Sequence, residues 1–421
     1  MTDSRMKEYE AYKDSEIEWI GQIPKEWEVI KIKNLCNVTD GTHFSPRTES
    51  TGKPYVTVSN VNNDFVDVGN ALLISEEDFD TLVRQGCQPK VGDVLLSKDG
   101  TVGRSAIVGN NNGFVCLSSL GILSPKAGLF SGYLKRSLDS IMLQYQMNRA
   151  MAGSALKRIT ISKINEFCML LPPLSEQKAI AFYLDYKVGQ IDASISAINT
   201  QIDDLKSYRQ SIISEAVTKG LNPDVPMKDS GVEWIGEIPE SWVCLPMKRG
   251  LTINNGKDYK EIQSDEGYPV IGSGGQFAFA TDYLYDGEAV LLGRKGTIDK
   301  PMYINGKFWT VDTMFYAVPS EDVCCKYMYY QAQTIPFGLY STNTALPSMT
   351  QTDLANNPFC FPSLAEQQNI ADYLDCKTAK IDSTISSLEA QRDDLNALKQ
   401  SIISEAVTGK IDVRDWKANN V

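Results

Sequence analysis

The stretch Ser-Ile-Ile-Ser-Glu-Ala-Val-Thr fills residues 211–218 and returns letter for letter at 401–408, 190 positions later. A repeat of this kind decides the architecture before any other feature does. Leu174 to Thr218 answers Leu364 to Thr408 at the same offset. Further back, Val94-Leu95-Leu96 with Gly100-Thr101-Val102 answers Val290-Leu291-Leu292 with Gly296-Thr297-Ile298 at an offset of 196. Ile17-Glu18-Trp19-Ile20-Gly21-Gln22-Ile23-Pro24 and Trp27 answer Val232-Glu233-Trp234-Ile235-Gly236-Glu237-Ile238-Pro239 and Trp242 at 215. The order of elements is shared, and the falling offset gives the first copy 25 more residues, mostly before the Gly-Thr turn. The plan is domain, long helix, domain, long helix.

The helices are the clearest part. Leu184, Val188, Ile191, Ile195, Ile198, Ile202 and Leu205 step by alternating fours and threes, the seam of a coiled coil, and the run continues to Ile212. Leu374, Ile381, Ile385, Leu388 and Leu395 repeat the phase and lead to Ile402, with Thr378 and Arg392 interrupting. Pro172-Pro173 and Pro362-Ser363 precede the two runs, and Ser363 with Glu366 spells a capping box. Unbroken, Ser175 to Thr218 spans on the order of 60 Å, with Gly189 the one candidate interruption. Two matching seams in one chain can satisfy each other without a concentration cost, and a pseudo-dyad across the helix axes makes them antiparallel. The alternatives are packing of each helix on its own domain, or dimerisation. Short β-rich runs, Tyr55-Val56-Thr57-Val58, Asp93-Val94-Leu95-Leu96 and Ala289-Val290-Leu291-Leu292, lie between polar loops. The predicted fold is therefore α+β: two similar mixed α/β domains separated by an antiparallel pair of long coiled-coil helices, with internal pseudo-two-fold symmetry. Its divisions are a tail (1–16), a domain (17–171), a helix (172–221), a domain (222–361), a helix (362–409) and a tail (410–421).

With 421 residues, two or three domains are expected. No stretch approaches the roughly 18 apolar residues of a membrane helix, and the polar start is no signal peptide. Nine scattered cysteines without a C-x-x-C pair suggest neither a zinc site nor a disulfide framework, and so a reducing, cytoplasmic location. A net charge of −12 argues against indiscriminate nucleic-acid binding. Locally the balance differs: residues 17–170 carry 16 basic against 15 acidic groups, and residues 232–360 carry 9 against 15. Two similar but non-identical readers at a fixed separation suit a bipartite target. On duplex DNA such readers meet half-sites about one helical turn, ~34–36 Å, or somewhat more apart.

At these residues the chain resembles the specificity subunit of type I restriction–modification systems. The resemblance is carried by Glu18-Trp19-Ile20-Gly21-Gln22-Ile23-Pro24-Lys25-Glu26-Trp27, by Asp40-Gly41-Thr42-His43-Phe44-Ser45-Pro46, and by Gly92 to Gly103. The helix-start pair Leu174-Ser175-Glu176-Gln177 and Leu364-Ala365-Glu366-Gln367 adds to it. The second domain lacks the Gly-Thr-His loop. The resemblance implies a non-catalytic subunit whose two target-recognition domains read a bipartite, asymmetric site on double-stranded DNA. It implies two methyltransferase (M) subunits, making an adenine N6-methyltransferase, and up to two restriction/translocase (R) subunits, making an ATP-dependent endonuclease. S-adenosylmethionine, ATP and Mg belong to those partners and none to this chain. An inhibitor that mimics DNA is left open as a further partner, and the octet ends are expected to help present the docking surface. If partners supply part of the phosphate-neutralising charge, the isolated chain binds DNA poorly.

Base reading needs donor and acceptor side chains at loop tips. In the first domain the candidates are Thr42, His43, Ser45, Arg47 and Lys53, then Ser59 and Asn60, Lys98 and Arg104, and Lys157 with Arg158. In the second they are Asn254, Asn255, Lys257 and Lys260, then Ser273 and Gln276, Arg294 with Lys295, and Thr342 with Asn343. His43 is the only histidine, so it builds neither a metal site nor a triad. Gly272-Ser273-Gly274-Gly275 lacks nucleotide-loop spacing, and Asn357-Pro358-Phe359 lacks the second proline of an amino-methyltransferase motif. The competing classes are an interaction protein with two ligand-binding domains on a coiled-coil spacer, and an active nuclease or methylase.

Overall fold

The computed structural model describes residues 7–62, 64–109, 113–151, 157–340 and 347–417. Both long helices form, Leu174–Lys219 and Leu364–Val407, the first unbroken through Gly189. The Ser363 hydroxyl accepts the Glu366 N–H at 3.3 Å, one half of the expected capping box. The chain folds as two compact units, Met1–Ala197 with Gln391–Val421, and Ile198–Ala390. Each unit therefore holds the start of one long helix and the end of the other.

In both units the helices run antiparallel, and the chemistry of the pairing repeats. In the first, Lys399 donates to both Asp192 oxygens at 2.6 and 2.7 Å, while Ile180 and Leu184 share a core with Ile403, Ala406 and Val407. In the second, Arg209 Nε donates to Asp382 at 2.9 Å, and Gly220 faces Glu366. Asp192 and Asp382 are equivalent at the repeat offset, and so are Arg209 and Lys399. Of the seam residues, Leu184, Val188, Ile191, Ile198, Ile202, Ile212, Leu374, Ile381 and Ile385 are buried. Ile195, Leu205, Leu388, Leu395 and Ile402 are half-buried.

Inside the octet Ile213, Val217, Ile403 and Val407 are fully buried, and Ile213 and Ile403 lie deeper than the seam positions Ile212 and Ile402 that precede them. The helix ends turn from partner helix toward domain. Ile403, Ala406 and Val407 share a core with Ile23 and Trp27, the entry motif of the first copy. Gly409, at φ 71°, ends that helix so close to this motif that a Cβ would lie 2.4 Å from Pro24. Gly220, at φ 76°, brings the other octet's end within reach of the Trp242 ring. Each octet thus ends against the other copy's entry motif, an equivalent packing that accounts for the identity of the octets.

The glutamines of the helix-start pair are almost fully buried and stitch each domain to its helix. Gln177 accepts the Phe130 N–H and donates to the carbonyls of Gly128 and Pro172. Gln367 likewise accepts from Cys324 and donates to Pro362. A two-stranded neck closes each domain, Glu28–Lys31 against Cys168–Leu171 and Val243–Pro246 against Pro358–Phe361. Segments 7–16 and 410–417, expected as tails, are packed parts of the first unit: Tyr9 and Val413 are buried, and the Asp412 N–H donates to the Lys7 carbonyl at 2.7 Å.

The domain bodies share a strand order throughout and differ in whether the two halves of that order are separate sheets or joined. In the first, an antiparallel sheet runs Cys36–Asp40, Leu120–Pro125, Val94–Ser97, Ser105–Ile107, beside a second four-stranded sheet built on Lys53–Val56. In the second, one seven-stranded sheet begins Leu251–Asn255, Met314–Pro319, Tyr285–Gly293, Met302–Thr310 and adds three strands between Gln263 and Ala280. The strand expected to reach Val58 stops at Val56, because Asn60 Oδ1 accepts the Thr57 N–H and closes a 3₁₀ turn.

Candidate nucleic-acid interface

In each unit three remote segments meet at the ends of the same strands. The first strand of the main sheet leads to a glycine pressed against a neighbouring backbone. A Cβ at Gly41 would lie 2.0 Å from the Cys116 carbonyl, and one at Gly256 2.0 Å from that of Val311. Only glycine fits at either place, which accounts for the Gly of the Gly-Thr-His loop. The second segment follows the central strand, at Lys98-Asp99-Gly100 and Arg294-Lys295-Gly296. The third runs antiparallel beside it: Ile159 N–H donates to the Lys98 carbonyl at 2.8 Å, and Met349 N–H to that of Arg294 at 3.0 Å. Backbone bridges set Asp99 opposite Arg158 and Lys295 opposite Ser348.

The side chains mounted on this common frame differ. In the first unit Lys98 is 2% exposed, with its ammonium 3.5 Å from Asp40 and 3.7 Å from Asp99. His43 Nε2 lies 3.3 Å from the same Asp40 carboxylate, and Arg158 Nε 3.0 Å from Asp99. In the second unit Asn255 replaces Asp40, Arg294 replaces Lys98, Lys295 replaces Asp99 and Ser348 replaces Arg158. Two acids and two bases thus become two bases. Asn255, Arg294, Lys295 and Phe315 line a cleft of about 290 Å³ with the 348–351 turn. The Arg294 guanidinium sits 5.8 Å from the Phe315 ring centre and donates to the Asp312 carbonyl. Among the described residues neither Arg294 nor Lys295 forms an ion pair.

The fold thus brings together Thr42, His43, Lys98, Lys157 and Arg158 in one unit, and Asn255, Lys257, Arg294 and Lys295 in the other. Thr42 is buried and accepts the Phe44 N–H, which shapes the loop and presents His43 to solvent. Ser45, Arg47, Arg104 and Lys157 are exposed. Lys53 lies apart on the second sheet, 3.4 Å from Glu76. Ser59 is exposed and bonds the Thr57 hydroxyl, whereas Asn60 is buried, tying its turn to the carbonyls of Asp67 and Asn70. In the second unit Lys257 is exposed, and its carbonyl accepts the Trp309 indole N–H at 2.9 Å. Asn254 is turned back on the Thr252 carbonyl, and Lys260 sits in an exposed turn with Asp258. Ser273 and Gln276 flank a hairpin tip. Thr342 and Asn343 lie outside the described residues. Sequence reading missed Asp40 and Asp99 as partners of Lys98. The available signal was their exchange for Asn255 and Lys295 at the repeat offsets.

Two sequence-divergent loop clusters on a repeated frame define a paired-recognition protein. The chain belongs to the family of the type I restriction modification DNA specificity domain, whose model matches residues 24–204 and 243–393. It is similar to the type I restriction enzyme MjaVIII specificity subunit of Methanocaldococcus jannaschii, 22% identical over 443 aligned positions that cover 94% of this chain and 95% of the relative. The type I restriction enzyme EcoKI specificity subunit of Escherichia coli K12 is 20% identical, with 95% and 92% covered. In fold it is similar to a solved chain from work on assembly and conformational transition of the type I R-M system, with a TM-score of 0.66 and 16% identity over 92% of this chain and 99% of that one.

Proposed function

We propose that this chain is the sequence-reading subunit of a cytoplasmic type I restriction–modification complex and carries no catalytic centre of its own. It reads a bipartite, asymmetric site on double-stranded DNA, one half with each domain. Two M subunits, up to two R subunits and their S-adenosylmethionine, ATP and Mg supply methylation and cleavage. The observation that carries the reading is the pair of clusters at equivalent strand ends. One frame presents Asp40, Lys98, Asp99 and Arg158, the other Asn255, Arg294, Lys295 and Ser348. A shared scaffold with exchanged hydrogen-bonding groups is what two different half-sites require. The acidic whole leaves phosphate neutralisation largely to partners.

Methylation mapping in cells that express this chain with its methyltransferase tests the proposal. A bipartite asymmetric motif is expected, and exchanging residues 17–170 for another family member's domain should change one half only. If neither half changes, recognition lies elsewhere.

A further inference from the structure

The two necks are built alike but not of the same residues. In the first unit, Val29 lies opposite Leu170 across the antiparallel pair. At the equivalent place in the second unit, Cys244 lies opposite Cys360, with their sulfurs 3.4 Å apart. These cysteines stand 116 positions apart, and only the fold makes them neighbours.

We propose that Cys244 and Cys360 form a reversible cross-strand disulfide that locks the neck of the second unit, with a small-molecule disulfide such as oxidised glutathione as the oxidant. Three features beyond proximity support the pair. First, strand pairing sets the two residues directly opposite each other, and a bond length of about 2.05 Å needs a closing movement of about 1.4 Å. Second, accessibility divides the roles. Cys244 is half-buried between exposed Val243 and Leu245, whereas Cys360 is fully buried. Third, Cys360 is held still: its N–H donates to Gln331 at 2.9 Å, and its carbonyl accepts from the Tyr327 hydroxyl at 3.0 Å and from Gln331. The hydrogen bond between the two thiols, with Lys228 nearby, also holds the Cys244 thiol below its ordinary range and favours it as the attacking thiolate.

The chemistry proceeds by exchange. The Cys244 thiolate attacks one sulfur of the small disulfide, forms a mixed disulfide and expels one thiolate, which takes up a proton. The Cys360 sulfur then loses its proton and attacks the Cys244 sulfur, expelling the second small thiol. Two protein thiols are oxidised and one small disulfide is reduced to two thiols. The bridge joins the strand that enters the domain to the strand that leads into the second long helix, so it affects this domain and leaves the Val29–Leu170 neck untouched.

The test treats the full-length chain with oxidised glutathione, blocks free thiols with iodoacetamide and maps peptides without reduction. A peptide linking Cys244 to Cys360 is expected, together with an unfolding temperature several degrees higher that dithiothreitol reverses. The paired variant Cys244→Val with Cys360→Leu, which copies the first unit, should lose the linked peptide and show no glutathione-dependent shift. Alkylated Cys244 and Cys360, a lasting glutathione adduct on Cys244, or linkage only through exposed Cys376 would each overturn the proposal. Should the paired variant fail to fold, the peptide map of the unaltered chain decides alone.

Discussion

Lys98 and Lys295 look alike as candidate contacts, yet one is an internal ion and the other a free surface charge. Lys98 is buried between Asp40 and Asp99, so Lys98→Met leaves two carboxylates facing each other without their shared cation. With those acids partly solvated, the expected cost is about 2 kcal/mol of stability, read from urea unfolding. Lys295→Met should change stability by no more than about 0.5 kcal/mol. In the complex with methyltransferase it should weaken DNA binding and lower the salt slope by about 1. Lysine counting could not separate the two, because Asp40 reaches Lys98 only through the fold. Glu166 sets a second contrast at this scale, since Lys31 and Lys33 donate to its two oxygens at 2.7 and 2.6 Å. These hydrogen bonds lower its carboxyl from about 4.5 to about 2. Its stabilising contribution is therefore complete above about pH 4.5 and is lost as pH falls toward about 2. Thermal melts of Glu166→Gln should lie below those of the unaltered chain by a constant gap above about pH 5, and the gap should close in acid. A gap independent of pH would show that the carboxylate charge is not what matters.

Among the elements, the long helices were legible because their signal is local: the seam repeats every seven residues, and Pro172-Pro173 and Pro362-Ser363 open the runs. The turn of the octet from seam to domain was not legible, since Ile402 and Ile403 are equally apolar and only the core around Trp27 makes Ile403 the deeper. Ile213 and Ile403 are both fully buried at equivalent places. Ile213→Ala and Ile403→Ala should each cost about 2–4 kcal/mol, and the two costs should agree within about 1 kcal/mol in denaturant titrations. A large inequality would mean that the octets are identical for some reason other than equivalent packing. The recognition sheets were legible only as scattered strands. Their number and pairing depend on contacts between distant segments: the one parallel and two antiparallel pairings of the first unit's second sheet recur in the other unit, but there the parallel partner is the far end of the long strand Met302–Thr310, which joins the two sheets.

Across the whole molecule, an ion pair joins the two long helices in each unit. Asp192 with Lys399 and Asp382 with Arg209 fix the helix register twice, and the stretch of each long helix between those pairs must match the other in length. Removing residues 195–201 alone brings Asp192 and Arg209 closer on one helix, while Asp382 and Lys399 keep their spacing on the other. One ion pair and its flanking seam must then slip, so this variant should unfold at lower denaturant or fail to accumulate. Removing 385–391 as well restores both registers, because each helix loses one heptad and its seam stays in phase within about 20°. The doubly shortened chain should fold with near-native cooperativity. Each helix is then about 10 Å shorter, close to three base-pair steps of 3.4 Å. With its methyltransferase, this chain should methylate a site whose halves keep their sequences but stand about three base pairs closer. Sequencing of methylated genomic DNA reads that spacing directly, and an unchanged spacer in a folded double deletion would sink the idea that the helices measure the target.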